Sequence, residues 1–293
     1  MHSFLKSIGF SKLKKKKEID ALIQEVTDHP DRKVISEDEQ GNVFAELCKD
    51  YGELIGIAVR GEYTEEDVFE ADYFYPYFQG TGVSTSERVD VEKHAEKDSY
   101  AGVCDEIKLG VTLIFYLQNA IDYLNKKDTS AMSGLHTTTT LSALSSFGKI
   151  LLPIQKNDFQ SDQDDNLSRE RNHLIAAARE GDEEAIENLT LEDIDTYSMI
   201  SRRIMNEDIL TIVSSYFMPY GIESDQYSIL GEILDYHLIK NHLTEEELYA
   251  LTVNCNDLVF DVCINRADLL GEPAVGRRFK GVIWMQGNLN YEE

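Results

Sequence analysis

This 293-residue chain has no Cys-x-x-Cys pair, no phosphate-cradling glycine loop, no long apolar run and few basic residues. Each absence excludes something. The four cysteines are Cys48, Cys104, Cys255 and Cys263, and a chain of this length needs no disulfide staples, so free thiols in a reducing compartment are expected. No apolar stretch approaches the ~20 residues that a spanning helix needs. Met1 to Phe10 is too short and too polar for a secretory signal, and no small-x-small cleavage site follows it. Neither GxxxxGK[ST] nor a strand-linked GxGxxG occurs, and Gly80-Thr-Gly82 reads only as a loop. No cofactor is therefore expected. The 28 Lys+Arg face 54 Asp+Glu, a net charge of −26 and a pI near 4.6. Such a charge repels phosphate backbones and anionic lipid, so nucleic acid is not an expected partner. A soluble cytoplasmic protein is the expectation.

What is present is enough to fold. Hydrophobic residues make up 42%, an ordinary fraction for a globular protein with a core. Charge is uneven along the chain. Residues 1–17 hold six lysines and no acid, which leaves −32 on the remainder. The run Lys12-Leu-Lys-Lys-Lys-Lys17 beside Phe4, Leu5, Ile8 and Phe10 has the make-up of a basic amphipathic membrane anchor. The favoured alternative is a helix start that docks on the protein's own acidic body.

Periodicity predicts an α+β fold with mostly antiparallel sheets and flanking helices. Ile19, Leu22, Ile23 and Val26 have helical spacing, ended by His29-Pro30. Strands are predicted over 33–36, 43–50, 53–61, 68–78, 88–92, 109–118, 136–144, 149–154, 208–218, 226–240, 249–255, 258–265 and 278–286, with Asn256-Asp257 as a tight hairpin turn. Residues 157–166, rich in aspartate, read as a linker between an N-terminal half (1–156) and a C-terminal half (167–293) that opens with three helices. Three short matches at a spacing near 180 residues predict that the halves are copies. Gly52–Ile55 matches Gly231–Leu234, Thr64–Phe69 matches Thr244–Tyr249, and Gly110–Asn119 matches Gly281–Gln286.

Few residue sets could carry chemistry. Asp162-Gln-Asp-Asp-Asn166 lacks the glycine and terminal glutamate of a calcium loop, and His237 and His242 have the wrong spacing for a zinc pair on a helix, so no metal is expected. Asp235 and His237 alternate on a predicted strand, where a carboxylate could orient an imidazole as a general base. No serine or cysteine elbow accompanies them, and a structural role is the default. Arg277, Arg278 and Lys280 gather positive charge between glycines in an acidic chain, which suits a phosphate or carboxylate. Pairing with neighbouring acids is the competing reading. The aromatic strand Phe69–Phe78 reads as core and interface.

Three blocks carry a family resemblance: His2 to Lys12, Phe217-Met-Pro-Tyr-Gly-Ile-Glu223, and Gly271 to Trp284. Together they resemble an uncharacterised clostridial family, Domain of Unknown Function 3881. The resemblance implies a bacterial cytoplasmic origin and supplies no activity, cofactor or site residue. From the residues, the expected function is a non-enzymatic binding or interaction module, with a small anion at Arg277, Arg278 and Lys280 or a basic protein as partner. The alternative is a hydrolase using Asp235 and His237.

Overall fold

Alternating side chains and short turns dominate the sequence, and strands dominate the fold. The computed structural model describes residues 3–37, 41, 43–93, 99–128, 137–154, 173–174, 177–178, 181–189, 209–222 and 224–291. The expected linker lies outside these residues, as do most of the three helices expected after it.

Helix α1 (Lys16–Asp28) buries Ile19, Leu22 and Val26, the stripe its spacing predicts. Four strands follow as an antiparallel meander: β1 (Arg32–Glu37), β2 (Val43–Gly52), β3 (Ile55–Tyr63) and β4 (Phe69–Phe78). A second antiparallel run contains β5 (Val89–Lys93), β6 (Tyr100–Glu106) and β7 (Val111–Leu117), and leads into helix α2 (Ala120–Asp128). Neither β6 nor α2 is legible in the periodicity. The segments 136–144 and 149–154, expected as two strands, form one strand, β8 (Thr137–Leu151). The segment 208–218 divides into a helical turn (Ile209–Ile212) and β9 (Tyr216–Pro219). The remaining strands are β10 (Gln226–Lys240), β11 (Glu247–Cys255), β12 (Leu258–Asn265), β13 (Leu269–Leu270) and β14 (Arg278–Tyr291). Asn256 and Asp257, both at positive φ, make the tight turn between β11 and β12.

Five of these strands close on themselves. β8 pairs with β12, β12 with β11, β11 with β10, β10 with β14, and β14 returns to pair with β8 over fourteen residue pairs. Closure satisfies the edges that an open sheet would expose. Two register shifts supply the bends that a small barrel requires: Leu234 is an extra residue in β10 between Ile233 and Asp235, and Ser146 is an extra residue in β8 opposite Val282 and Ile283. Inward positions include Ala143, Leu251, Val253, Val262, Ile264, Phe279 and Met285, all buried in one cluster. Outward positions Leu144, Ala250, Cys263 and Trp284 join a second cluster, beneath the N-terminal segment and the meander. Beyond the end of its pairing with β10, β14 pairs in parallel with β7 at Gln286 and Gly287, which attaches β5–β7 to the barrel.

The N-terminal segment spends its apolar face internally. Phe4, Leu5, Ile8 and Phe10 are all buried in the second cluster, and Phe4 stacks on Trp284. Ser7 Oγ donates to the Ser145 carbonyl, Asn241 Nδ2 donates to the Ile8 carbonyl, and Lys6 pairs with Asp268 at 3.2 Å. This is the docked arrangement, with these four apolar side chains turned into the protein. Among the described residues, no helix is long and apolar enough to cross a membrane.

The expected division at 157–166 does not coincide with a division of the sheets. β8, from the first half, lies between β12 and β14, from the second. Of the suspected duplicate segments, two pairs occupy like places and one does not: Gly110–Asn119 and Gly281–Gln286 run through strands β7 and β14. Thr64–Phe69 and Thr244–Tyr249 are both turns with one residue at positive φ, Asp67 and Glu245. Gly52–Ile55, by contrast, is a hairpin turn, whereas Gly231–Leu234 lies inside β10.

Candidate functional site

One face of the meander is unusually polar for a buried surface. Register places Val34, Glu46, Arg60 and Tyr73 in one row across β1–β4, and Arg32, Cys48, Ala58 and Tyr75 in the next. Alternation along each strand brings these side chains to the same face. Glu46 and Arg60 form an ion pair with side chains only 8% and 6% exposed. Tyr75 Oη donates to Glu46 at 2.8 Å. The Arg60 guanidinium also donates to Tyr73 Oη at 2.9 Å and to the Gln118 carbonyl at 2.8 Å. It lies over the rings of Tyr75 and Tyr116 as well, 5.3 and 5.6 Å from their centroids. Burial alone would weaken its hold on a proton, but Glu46 and the tyrosines raise its pKa well above the ordinary arginine value. A single side chain from β3 thus reaches across to the end of β7 and joins the meander to the barrel.

In the third row, Tyr77 Oη donates to Asp50 across Gly56. A Cβ at Gly56 would lie 2.2 Å from that hydroxyl, so only glycine leaves room for the tyrosine to cross.

A second set of polar groups faces this one from the barrel side. Gln118 and Gln286, at the ends of the β7–β14 contact, bond to each other at 2.8 Å. Gln118 also donates to the Phe78 carbonyl, and Gln286 donates to the Pro76 carbonyl while accepting from the Phe78 N–H. Asn288 donates to Gln118 Oε1, and Asn290 donates to Thr140 Oγ1 at 2.9 Å. Between the two sets lies a half-open cleft of about 360 Å³. Arg32 and Asp122 are exposed at its mouth, and Tyr75, Tyr77, Gln79, Gln118, Asn288 and Asn290 line it further in. Burial first, and Glu46 second, raise the Asp122 pKa, against the pull of Lys126 and Arg32. The volume falls within the range of small-molecule sites, but the lining is far more polar than an apolar ligand would need.

The residues singled out in the sequence lie elsewhere. Arg278 is buried and its guanidinium is engaged by the main chain: Nε donates to the Leu152 carbonyl, Nη1 to Val213 and Nη2 to Leu210. Arg277 donates to the Glu272 carbonyl, and the Lys280 ammonium sits 5.7 Å over the Tyr216 ring. Arg278 thus fastens the helical turn before β9 onto β14. Asp235 and His237 are both exposed, near the far end of β10, and Asp235 accepts from the Tyr236 N–H at 2.8 Å. Neither lines the cleft. Among the described residues, no three His, Cys, Asp or Glu side chains gather as a metal site would require.

The residues that do converge were not singled out in the sequence. Glu46 and Arg60 are unremarkable until register sets them opposite. Two signals were available: the alternation Tyr73, Tyr75, Tyr77, which places three hydroxyls on one face, and the terminal amides of Gln118 and Gln286 after matching apolar runs.

A closed β-barrel with an antiparallel meander bolted to its flank, and a polar cleft at the junction, defines the class of fold. The chain belongs to the family described as "Domain of unknown function, E. rectale Gene description (DUF3881)", whose model matches residues 5–287. No curated protein and no solved structure matches it.

Proposed function

We propose that the protein is a non-enzymatic binding module and that its ligand is a small, polar, hydroxyl- or carboxylate-bearing molecule held in the cleft between meander and barrel. The observation that carries this reading is the cleft's construction. Its walls are fastened by the Glu46–Arg60–Tyr75 network and the Gln118–Gln286 pair. Its lining presents Arg32, Gln79, Asp122, Asn288 and Asn290. Rigid walls with convergent polar groups lower the ordering cost of binding. Arg32 at the mouth supplies the cation that an anionic group would meet, a role first expected at Arg277, Arg278 and Lys280. Two features favour Arg32 over that cluster: Arg278 has its donors committed to carbonyls, and Arg32 sits beside a concavity.

The hydrolase alternative built on Asp235 and His237 finds less support, since both are exposed on a strand and lie outside the cleft. A cytoplasmic setting accords with four free, buried thiols.

Thermal-shift screening of sugars, amino acids, carboxylates and phosphorylated metabolites, followed by titration calorimetry of each hit, tests the proposal. A ligand that raises Tm should lose at least about tenfold in affinity in Arg32→Ala and in Asn288→Ala. Binding unchanged in both variants, or abolished instead by Arg277→Ala/Lys280→Ala, would sink the cleft as the site.

A further inference from the structure

We infer that the strand segment Leu234–Leu238 of β10 pairs, antiparallel and centred on Tyr236, with the same segment of a second copy of this chain. The argument begins with an interrupted ladder. β10 is paired to β14 from Gln226 to Glu232, and the last bonds on that edge join Ile233 to the turn before β14: Ile233 N–H to the Arg277 carbonyl at 2.8 Å, and Gly276 N–H to the Ile233 carbonyl at 2.9 Å. The chain then bends at the register shift between Ile233 and Asp235. From there β11 continues on the opposite edge only, and among the described residues no strand pairs with the edge that β14 has left. Among the described residues the edge is next met at its far end, where the Lys240 carbonyl lies against Gly52 and the His242 N–H donates to the Tyr51 carbonyl.

Along this interval all five side chains are exposed, including three large apolar ones: Leu234 at 40%, Tyr236 at 39% and Leu238 at 48%. An exposed apolar edge without lysine or proline is what soluble proteins ordinarily avoid, because it templates strand pairing. The Tyr236 N–H is held by the adjacent Asp235 carboxylate, at 2.8 Å, in place of a strand carbonyl.

The sequence of the edge says what occupies it. Leu234-Asp235-Tyr236-His237-Leu238 is chemically palindromic about Tyr236. Antiparallel pairing through a twofold axis there sets tyrosine opposite tyrosine, each aspartate opposite the other copy's histidine, and each leucine opposite a leucine. Opposite-charge and apolar pairs are the favourable cross-strand combinations, and a patch complementary to itself is what a closed twofold dimer requires. Other registers lack this match. Centring on Asp235 sets carboxylate against carboxylate, and centring on His237 sets imidazole against imidazole. Asp235 and His237 therefore form their pair between molecules, and the Asp235 carboxylate caps the edge in the monomer.

Sedimentation velocity across a wide concentration range tests this on the full chain. The parent protein should be a dimer in reversible exchange with monomer. His237→Asp, which sets two carboxylates opposite each other twice, should weaken the dimer at least tenfold. The reciprocal swap Asp235→His/His237→Asp restores both opposite pairs and should recover most of that loss. These side chains are exposed, so circular dichroism should show all variants folded. A parent that stays monomeric at every concentration overturns the inference, whatever other molecule it binds. So does a dimer that His237→Asp leaves intact, or a reciprocal swap that fails to recover it.

Discussion

Glu46 and Arg60 stand directly opposite each other on β2 and β3, both sealed from solvent, and the guanidinium continues on to the carbonyls of Leu117 and Gln118. Breaking such a pair from one side leaves a buried charge without a partner. Arg60→Met should therefore cost about 3–5 kcal/mol in urea unfolding. The double variant Glu46→Leu/Arg60→Met removes both charges, and should be clearly more stable than Arg60→Met alone. A single substitution costing under about 1 kcal/mol would show that the network does not fasten the two sheets.

The same packing should make the phenols resist alkali. Burial, the dominant cause, holds Tyr75 and Tyr116 well above the ordinary tyrosine pKa, and Glu46 adds to this at both sites while Arg60 opposes it. A folded-state pKa raised above the unfolded value gives stability that is full below about pH 10 and lost as pH rises further. Spectrophotometric titration should thus show a late group of phenols that ionise together with loss of near-UV circular dichroism. Smooth ionisation of every tyrosine near the ordinary value, without unfolding, would contradict it.

All four thiols are free and buried. Burial pushes Cys48, Cys104 and Cys255 up to about 12, with Glu46 adding to the effect at Cys48 and Glu106 at Cys104. Cys263 is raised by burial alone. Thiolate is then scarce at pH 8, so Ellman's reagent should find almost no reactive thiol in the native protein and all four in denaturant. Cys48 borders the cleft, where its raised pKa holds it back; rapid reaction of Cys104, Cys255 or Cys263 in the folded state would place that thiol in an opening that the structure does not have.

Gln286, on β14, bonds both to the meander and to Gln118 at the end of β7. Its Nε2 donates to the Pro76 carbonyl, and its Oε1 accepts from the Phe78 N–H and from Gln118 Nε2. Gln286→Leu keeps the approximate volume but strands buried partners, each costing about 1–3 kcal/mol. A loss of about 2–4 kcal/mol in chemical denaturation is expected, whereas Asn290→Ala, whose partners are hydroxyls at the cleft, should cost under about 1.5 kcal/mol. Equal effects of the two substitutions would remove Gln286 from that role.

How much of this was legible beforehand depended on sequence distance. Strands such as 226–240 and 258–265 announce themselves through local alternation and turn residues, and so does the α+β class. Barrel closure does not, because it rests on β8 pairing with β12 and β14 more than a hundred residues away. The break expected within β8, at Ser145–Gly148, is taken up by a bulge in β8 itself, where Ser146 is the extra residue opposite Val282 and Ile283. The cleft stayed hidden for a related reason. Arg277, Arg278 and Lys280 attract notice by clustering in sequence, but the carbonyls that occupy Arg278 have no sequence signature. Glu46 and Arg60 belong to different strands, and only register reveals them as a pair.

The N-terminal segment offers the sharpest separation of packing from charge. Six lysines make it look like an anchor for anionic surfaces, yet Phe4, Leu5, Ile8 and Phe10 are buried against the barrel's outer wall. Gly9, at φ +90°, lets the chain turn there, with Asn241 Cβ 2.7 Å from where a side chain would begin. Gly9→Val should therefore force the segment off its seat and destabilise the protein by about 2 kcal/mol or more, since both the left-handed backbone and the contact oppose a branched side chain. The uncovered wall, with Leu144, Ala250 and Trp284, should then bind the dye ANS and quench or shift the Trp284 fluorescence. Replacing Lys14, Lys15, Lys16 and Lys17 by glutamine should do neither, because those side chains are exposed and the segment is held by its apolar face. If the lysine variant releases the segment while Gly9→Val leaves it in place, charge and not packing seats the N-terminus.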